Sequence, residues 1–317
     1  MRVLRIAMTG LILILLPILG SAAQPLKKLT LILDWYANPD HAPLFVAVQQ
    51  GFFKQQGLEV DLIGPADPTD PPKLVAAGRA DLAITYQPQL VLQVERGLPL
   101  VRIATLIATP LSCLVVRADS KLDSLAKLKG KRIGYSTSGL DSTTLTTLLS
   151  GVGLSTKDVK LINVRYNLTQ ALLTEKVDAI NGVMRNFELT QLAQAGVTAK
   201  AFFPEENGMP SYDELVIVAN KSKVNDPRLA AFLRGLELGV QYLINHPEET
   251  WQRFASEHPE LNNDLNKKAW FATLPRFALR PAALDNSRYL KLGQFLQQQG
   301  LVKKLPKVSD YALELAH

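Results

Sequence analysis

The stretch Leu29–Gly51, LTLILDWYANPDHAPLFVAVQQG, decides how the chain folds. Leu29 to Leu33 is a short apolar run containing the β-branched Thr30 and Ile32, the composition of a strand. Asp34 to His41 then mixes Asp, Asn and Pro with two aromatic rings and suits no regular element. A helix from about Pro43 to Gln50 follows, with proline in its first turn and Gly51 as its stop. Strand, irregular loop and helix in this order form one α/β unit.

The same unit recurs outward from this stretch. Leu58 to Ile63 reads as a strand, Pro72 to Ala77 as a helix closed by Gly78, and Leu82 to Ile84 as a buried strand. After a strand at Leu114 to Val116, a second set begins in Leu122 to Gly134 with helix, Lys-Gly-Lys loop and the strand Arg132 to Tyr135. It continues with the loop Ser136 to Gly139, a helix at Asp141 to Leu149 and strands at Val159 to Val164 and Ala179 to Val183. Helices at Leu168 to Thr174 and Phe187 to Ala195 flank the last of these, and Glu214 to Val218 is a further strand. From Pro227 the pattern changes to amphipathic helices, at Pro227 to Asn245, Pro247 to Glu257, Asn263 to Thr273 and Leu284 to Gln299, with apolar residues at helical spacing as in Leu229, Leu233, Leu236 and Val240.

Such alternation calls for mostly parallel sheets with helices on both faces, and two sets call for two lobes. The expected crossings between lobes lie near Arg117 and near Asn220. Lobe one is then residues 27–116 plus 219–317, and lobe two 117–218. Ligands of α/β sheets sit outside the carboxyl ends of strands. The loops at Trp35, Tyr86, Ser136 and Asn186 each follow a strand and are expected to converge on one cleft.

The chain begins with Arg2 and Arg5, an apolar run from Leu11 to Leu19, and small residues ending at Ala23. This reads as a secretory signal peptide over residues 1–23, and the mature protein as periplasmic. The apolar run is shorter than the roughly 20 residues of a membrane span. Cys113 is the only cysteine, so an intramolecular disulfide and a cysteine zinc site are excluded. The net charge of +6 is spread along the chain. No aromatic residues interleave the densest basic patch, Lys127 to Arg132, so nucleic acid is rejected as a partner. A composition of 47% hydrophobic residues fits a globular protein.

Catalytic motifs are missing: there is no nucleophile elbow, no zincin helix and no phosphate loop. Of the four histidines, His246 and His258 precede prolines at helix boundaries and His317 is terminal, which leaves His41 as a candidate ligand contact. Trp35 lies in a loop between Asp34 and Asn38 and is suited to stacking on a flat ring. Tyr86, Gln87, Ser138, Glu188, Tyr212 and Glu214 complete the candidate contacts, the carboxylates accepting from ring amines. For Glu188 a helix N-terminal role competes with ligand contact, and for Glu214 a surface ion pair does. No catalytic residue, metal ligand or cofactor is expected.

The segments Leu33–Leu44, Gly51–Phe53, Gly57–Val60, Lys129–Tyr135 and Tyr212–Leu215 together resemble the NMT1/THI5-like family. That family includes formylaminopyrimidine-binding proteins of bacterial ABC importers and pyrimidine synthases of thiamine biosynthesis. The resemblance implies a two-lobed type II periplasmic-binding-protein fold and a receptor for a 4-amino-2-methylpyrimidine. It further implies a permease and an ATPase as partners, and a monomer. Trp35 would stack on the ring, with Tyr86 or Tyr212 on its other face. Glu188 and Glu214 would accept from the amine, while Asn38 and His41 would orient the loop or ligand. This reading stakes itself on Trp35 and Glu214 sharing one hollow. The synthases carry a lysine and a histidine where this chain aligns Thr85 and Gln89, and a Schiff base needs an amine. A receptor for another solute, such as an alkanesulfonate or nitrate, is the first alternative and would place basic or amide donors in the cleft; an exported enzyme of thiamine-pyrimidine biosynthesis is the second.

Overall fold

The computed structural model describes residues 25–137 and 140–316. The signal-peptide reading and Ser138 lie outside the described residues. In chain order the strands are β1 Lys27–Ile32, β2 Leu58–Ile63, β3 Leu82–Thr85, β4 Leu100–Ile107, β5 Ser112–Arg117, β6 Arg132–Tyr135, β7 Lys160–Asn163, β8 Ala179–Met184, β9 Ala199–Phe202 and β10 Leu215–Asn220. They form two five-stranded sheets, of order β2-β1-β3-β10-β4 and β7-β6-β8-β5-β9.

The two sheets are built alike. In the first, β1 pairs in parallel with β2 and β3, while β10 runs antiparallel between β3 and β4. In the second, β6 pairs in parallel with β7 and β8, while β5 runs antiparallel between β8 and β9. Each sheet thus has four strands running one way and one strand against them. The chain changes sheet between β4 and β5, at 108–111, and between β9 and β10, at 203–214. These positions correct the expected crossings near Arg117 and Asn220: β5 belongs to the second sheet and β10 to the first. Both strands are buried on both faces and read as unbroken apolar runs, so their pattern cannot reveal which sheet they join.

Period-two alternation sends successive side chains of one strand to opposite faces. Leu215, Ile217 and Ala219 of β10 enter one core, and Val216 and Val218 enter another. In β5, Leu114 and Val116 face one core of the second sheet, with Cys113 and Val115 facing the other. Cys113 is buried, and burial pushes its thiol well above the ordinary range. On the first sheet, helix Pro227–Asn245 packs across helix Ala42–Gln49, and helix Asn286–Gln298 covers the opposite face through Tyr289, Leu292 and Leu296.

The helical tail falls where its periodicity predicts: the helices Pro227–Asn245 and Pro247–Glu257 match to the residue. Elements with no counterpart in the sequence reading include helix Gln87–Glu95, the strands β4 and β9, and the short helices Phe52–Gln55 and Val308–Tyr311. The helix expected after Leu122 is reduced to a single 3-10 turn at Leu125–Leu128. No helix among the described residues is long and apolar enough to cross a membrane.

Candidate functional site

The carboxyl ends of β1, β3, β6 and β8 point at one another, and between them lies a cavity of about 560 Å³. Its walls come from both sheets: Asp34, Trp35 and Asp40 after β1, Tyr86 after β3, Ser136 and Thr137 after β6, Phe187 and Glu188 after β8. The convergence of four strand-end loops is as the sequence predicts. A fifth loop, after β7, adds Tyr166 and the helix Leu168–Leu173.

Aromatic rings crowd one end. Trp35 meets Tyr166 edge-on, with ring centroids 4.6 Å apart and planes at 71°, and Tyr36 leans on Tyr166 at 4.2 Å. The Tyr166 hydroxyl donates to the Pro65 carbonyl at 2.7 Å, a bond from the second sheet's loops to the first's. Trp35 therefore lines the cavity as expected, and the ring facing it across the cleft is Tyr166, not Tyr212.

Carboxylates crowd the rest. Asp34 accepts from the Tyr86 hydroxyl at 2.6 Å through Oδ2, and its Oδ1 lies 2.8 Å from His41 Nε2. His41 is wholly buried beneath the loop and does not line the cavity, which corrects its expected role as a ligand contact: it fixes Asp34. Asp40 Oδ1 accepts from Asn186 Nδ2 at 2.5 Å and from Thr273 Oγ1 at 3.1 Å, another link between the sheets' loops. Burial raises the Asp40 carboxyl above its ordinary range, against the pull of His41 and Asn186. Glu188 lines the cavity and accepts the Met184 N–H at 2.8 Å through Oε2; burial pushes its carboxyl up to about 8. Among the described lining residues there is no lysine or arginine.

Asn38 lines the cavity, yet its amide is spent locally, donating to the Tyr36 carbonyl and accepting from the Asp40 N–H. It orients the loop. Three further expectations are corrected. Gln87 is buried and accepts the Asp213 N–H at 2.7 Å. Tyr212 is buried in a core and donates to Glu214 at 3.1 Å. Glu214 Oε2 accepts the backbone N–H groups of Leu111 and Ser112, which joins the two chain crossings at one carboxyl. None of the three lines the cavity. A side chain immediately flanking a strand can face the cleft or the interior with equal ease, and these face the interior. The pairing of Trp35 with Glu214 in one hollow fails, and Glu188 takes that place.

Asp34, Asp40, Tyr166 and Asn266 were missed. Asp34 and Asp40 flank the residues chosen from the same loop, and Tyr166 stands just past a strand end, so the strand-end rule alone reaches them. Asn266 sits mid-helix in the tail, where nothing local marks it.

The profile of the NMT1/THI5-like family matches residues 38–250. The chain belongs to the NMT1/THI5-like family. Within it, a Haemophilus influenzae protein named for thiamine biosynthesis is 52% identical over 91% of this chain and 92% of its own. The formylaminopyrimidine-binding protein of Halalkalibacterium halodurans is 33% identical over 78% of this chain and 75% of its own. Family members named 4-amino-5-hydroxymethyl-2-methylpyrimidine phosphate synthases also match. The fold is that of periplasmic binding proteins: the alkanesulfonate-binding protein SsuA of Xanthomonas axonopodis superposes with a TM-score of 0.72 at 16% identity, covering 92% of this chain and 99% of that one.

Proposed function

We propose that this chain is the periplasmic substrate-binding component of an ABC importer and captures a thiamine-precursor pyrimidine of the formylaminopyrimidine or hydroxymethylpyrimidine type. The carrying observation is the lining of the cavity: aromatic rings at one end, three carboxyl groups, and no lysine or arginine among the described residues. A flat heterocycle packs against the edge-on pair of Trp35 and Tyr166, and its donor groups meet the carboxyls of the wall. Kinship with a formylaminopyrimidine-binding protein supports the same ligand class. An alkanesulfonate or nitrate would meet carboxylates where it needs donors, and the shared fold with SsuA says nothing about ligand.

We read the protein as a receptor without catalysis. At the positions aligned with the synthases' lysine and histidine, Thr85 and Gln89 hydrogen-bond to each other at 3.3 Å, and neither lines the cavity. The lobes close about the crossings at 108–111 and 203–214, and the closed protein presents both lobes to a permease.

Isothermal titration of the mature chain tests this reading. Saturable binding of a 4-amino-2-methylpyrimidine, with no heat from alkanesulfonates or nitrate, is the expected result. Binding of an anion with silence from every pyrimidine overturns it. Mass spectrometry after incubation with pyridoxal phosphate and iron should recover the protein and the pyrimidine unchanged; a new pyrimidine product overturns the non-catalytic part.

A further inference from the structure

The ligand's charge can be read from the cavity, on the premise that the cavity is the pyrimidine site proposed above. Asp34 has a partner of opposite potential charge, since His41 Nε2 sits 2.8 Å from it. Neither Asp40 nor Glu188 is in an ion pair: Asp40 is held by the neutral Asn186 and Thr273, with His41 acting on it from beyond ion-pair distance, and Glu188 by a backbone N–H. The second oxygen of Asp40 has no protein donor among the described residues. Both carboxyls are more than nine-tenths buried and both line the cavity; Asp40 raises the cost of ionising Glu188, and Asp34 that of ionising Asp40. Buried carboxylates without a counter-ion are expensive, and a protein that keeps two on one cavity wall has an interior completed by something positive.

Two features of the same cavity agree. Asn266, 4% exposed and also lining it, has a buried Oδ1 that accepts nothing, so the wall offers one more acceptor than the protein uses. The volume of about 560 Å³ is also more than a bare aminopyrimidine needs. Such a ring with a short substituent has about a dozen non-hydrogen atoms, which at interior packing density fills roughly a third of that space. Room remains beside the ring for a charged group, along a wall of Glu188, Gln191 and Asn266.

We infer that the preferred ligand is a cationic pyrimidine, carrying its positive charge on a substituent of the ring, and that this charge settles between Asp40 and Glu188. The chemistry is that of a protonated aminomethyl group or of a quaternary heterocycle attached to the pyrimidine, and either satisfies the two carboxylates.

Four probes separate the possibilities in one calorimetric series at pH 7: the 5-aminomethyl pyrimidine, its N-formyl derivative, the 5-hydroxymethyl analogue and thiamine. The first and last are cations and the middle two are neutral. The expected result is that at least one cation binds about tenfold or more tightly than both neutral compounds. Its binding enthalpy should also depend on the buffer's ionisation enthalpy, because the arriving charge drives protons off the carboxyls. Glu188→Gln should shrink the preference for cations, read as the ratio of cation to neutral affinity in the same variant. Asp40→Asn is a second variant, in case the first misfolds; circular dichroism and a thermal melt establish that each is native. Equal or tighter binding of the neutral pyrimidines, or a cation preference unchanged in both folded variants, overturns the inference and leaves the pyrimidine receptor standing. Silence from all four probes removes that receptor reading itself.

Discussion

Glu214 carries a proton-dependent strain at the place where the two chain crossings meet. Its Oε2 gathers two backbone N–H groups and the Tyr212 hydroxyl, while Oε1 is buried without a partner. Burial outweighs those donors and pushes the carboxyl up to about 7, as it pushes Glu188 up to about 8. A carboxyl raised in the folded state favours the protonated form of the fold. Its contribution is therefore complete below the ordinary carboxylate range and is lost as pH climbs through about 7 for Glu214 and about 8 for Glu188. Asp178 and Asp226, held down by Arg132 and Arg228, titrate below that range and leave the window from pH 5 to 8 to the raised groups. The unliganded protein should melt highest near pH 5 and fall by several degrees by pH 8, at about 2–4 °C per kcal/mol for a chain of this size. Glu214→Gln, which keeps an oxygen for both N–H groups, should flatten the curve; an unchanged slope in a differential scanning series defeats the assignment. At the same scale, Tyr166→Ala removes the ring beside Trp35 and should weaken pyrimidine binding by about tenfold, as expected for roughly 1.4 kcal/mol of stacking and packing. Titration of the folded variant checks it, and undiminished affinity would place the ring elsewhere.

The loop that carries Asp34, Trp35 and Asp40 is held by the element behind it. Helix Ala42–Gln49 continues from that loop and lies against helix Pro227–Asn245 at Gly239, where an added Cβ would stand 2.6 Å from the Pro43 carbonyl oxygen and 2.8 Å from Ala47 Cβ. Both contacts are with rigid atoms, so the helices can make room only by separating. Gly239→Ala should cost about 1–3 kcal/mol and lower the melting temperature accordingly, with a loss of ligand affinity as the loop shifts. A variant that melts and binds as the parent does would show that the helices give way freely. At this scale the sequence is most legible. The helices Pro227–Asn245 and Pro247–Glu257 are bounded to the residue because their apolar stripe and their prolines at N1 are local signals, while the two later tail helices, which lack such a proline, differ by one or two residues at their ends. Helix Gln87–Glu95 escaped because its buried first turn carries the polar Gln87 and Gln89, which blurs the helical period, and β4 because it is buried throughout. The same blindness hides which sheet β5 and β10 join. Among candidate site residues, Trp35, Asn38, Tyr86 and Glu188 line the cavity; His41, Gln87, Tyr212 and Glu214 are polar groups that satisfy the backbone or one another behind it. A sequence shows that a polar residue flanks a strand, and only packing decides which way it turns.

For the whole molecule, the question is what holds the lobes together around the cavity. Asn186, on the loop after β8, donates to Asp40 and Thr273 of the other lobe, and Tyr166 donates to the Pro65 carbonyl across the same cleft. The Asn186 bonds are buried, so each stabilises the closed arrangement by about 1 kcal/mol net, and opening the cleft exchanges them for bonds to water. A ligand whose contacts come from both lobes binds the closed arrangement, and its apparent affinity scales with the fraction of molecules that are closed or can close. Asn186→Ala removes both bonds; Asn186 itself does not line the cavity, and Asp40, which does, keeps Thr273 as a donor. Among neutral ligands the variant should therefore keep its preferences while binding each more weakly by one common factor, about tenfold for a loss of 1–2 kcal/mol. Small-angle scattering should show a larger radius for the unliganded variant than for the unliganded parent, with the two coinciding once ligand is saturating. A change of preference among neutral ligands would mean that Asn186 acts on the site directly, and equal affinity with equal radius would mean that the lobes are held by something other than this bridge.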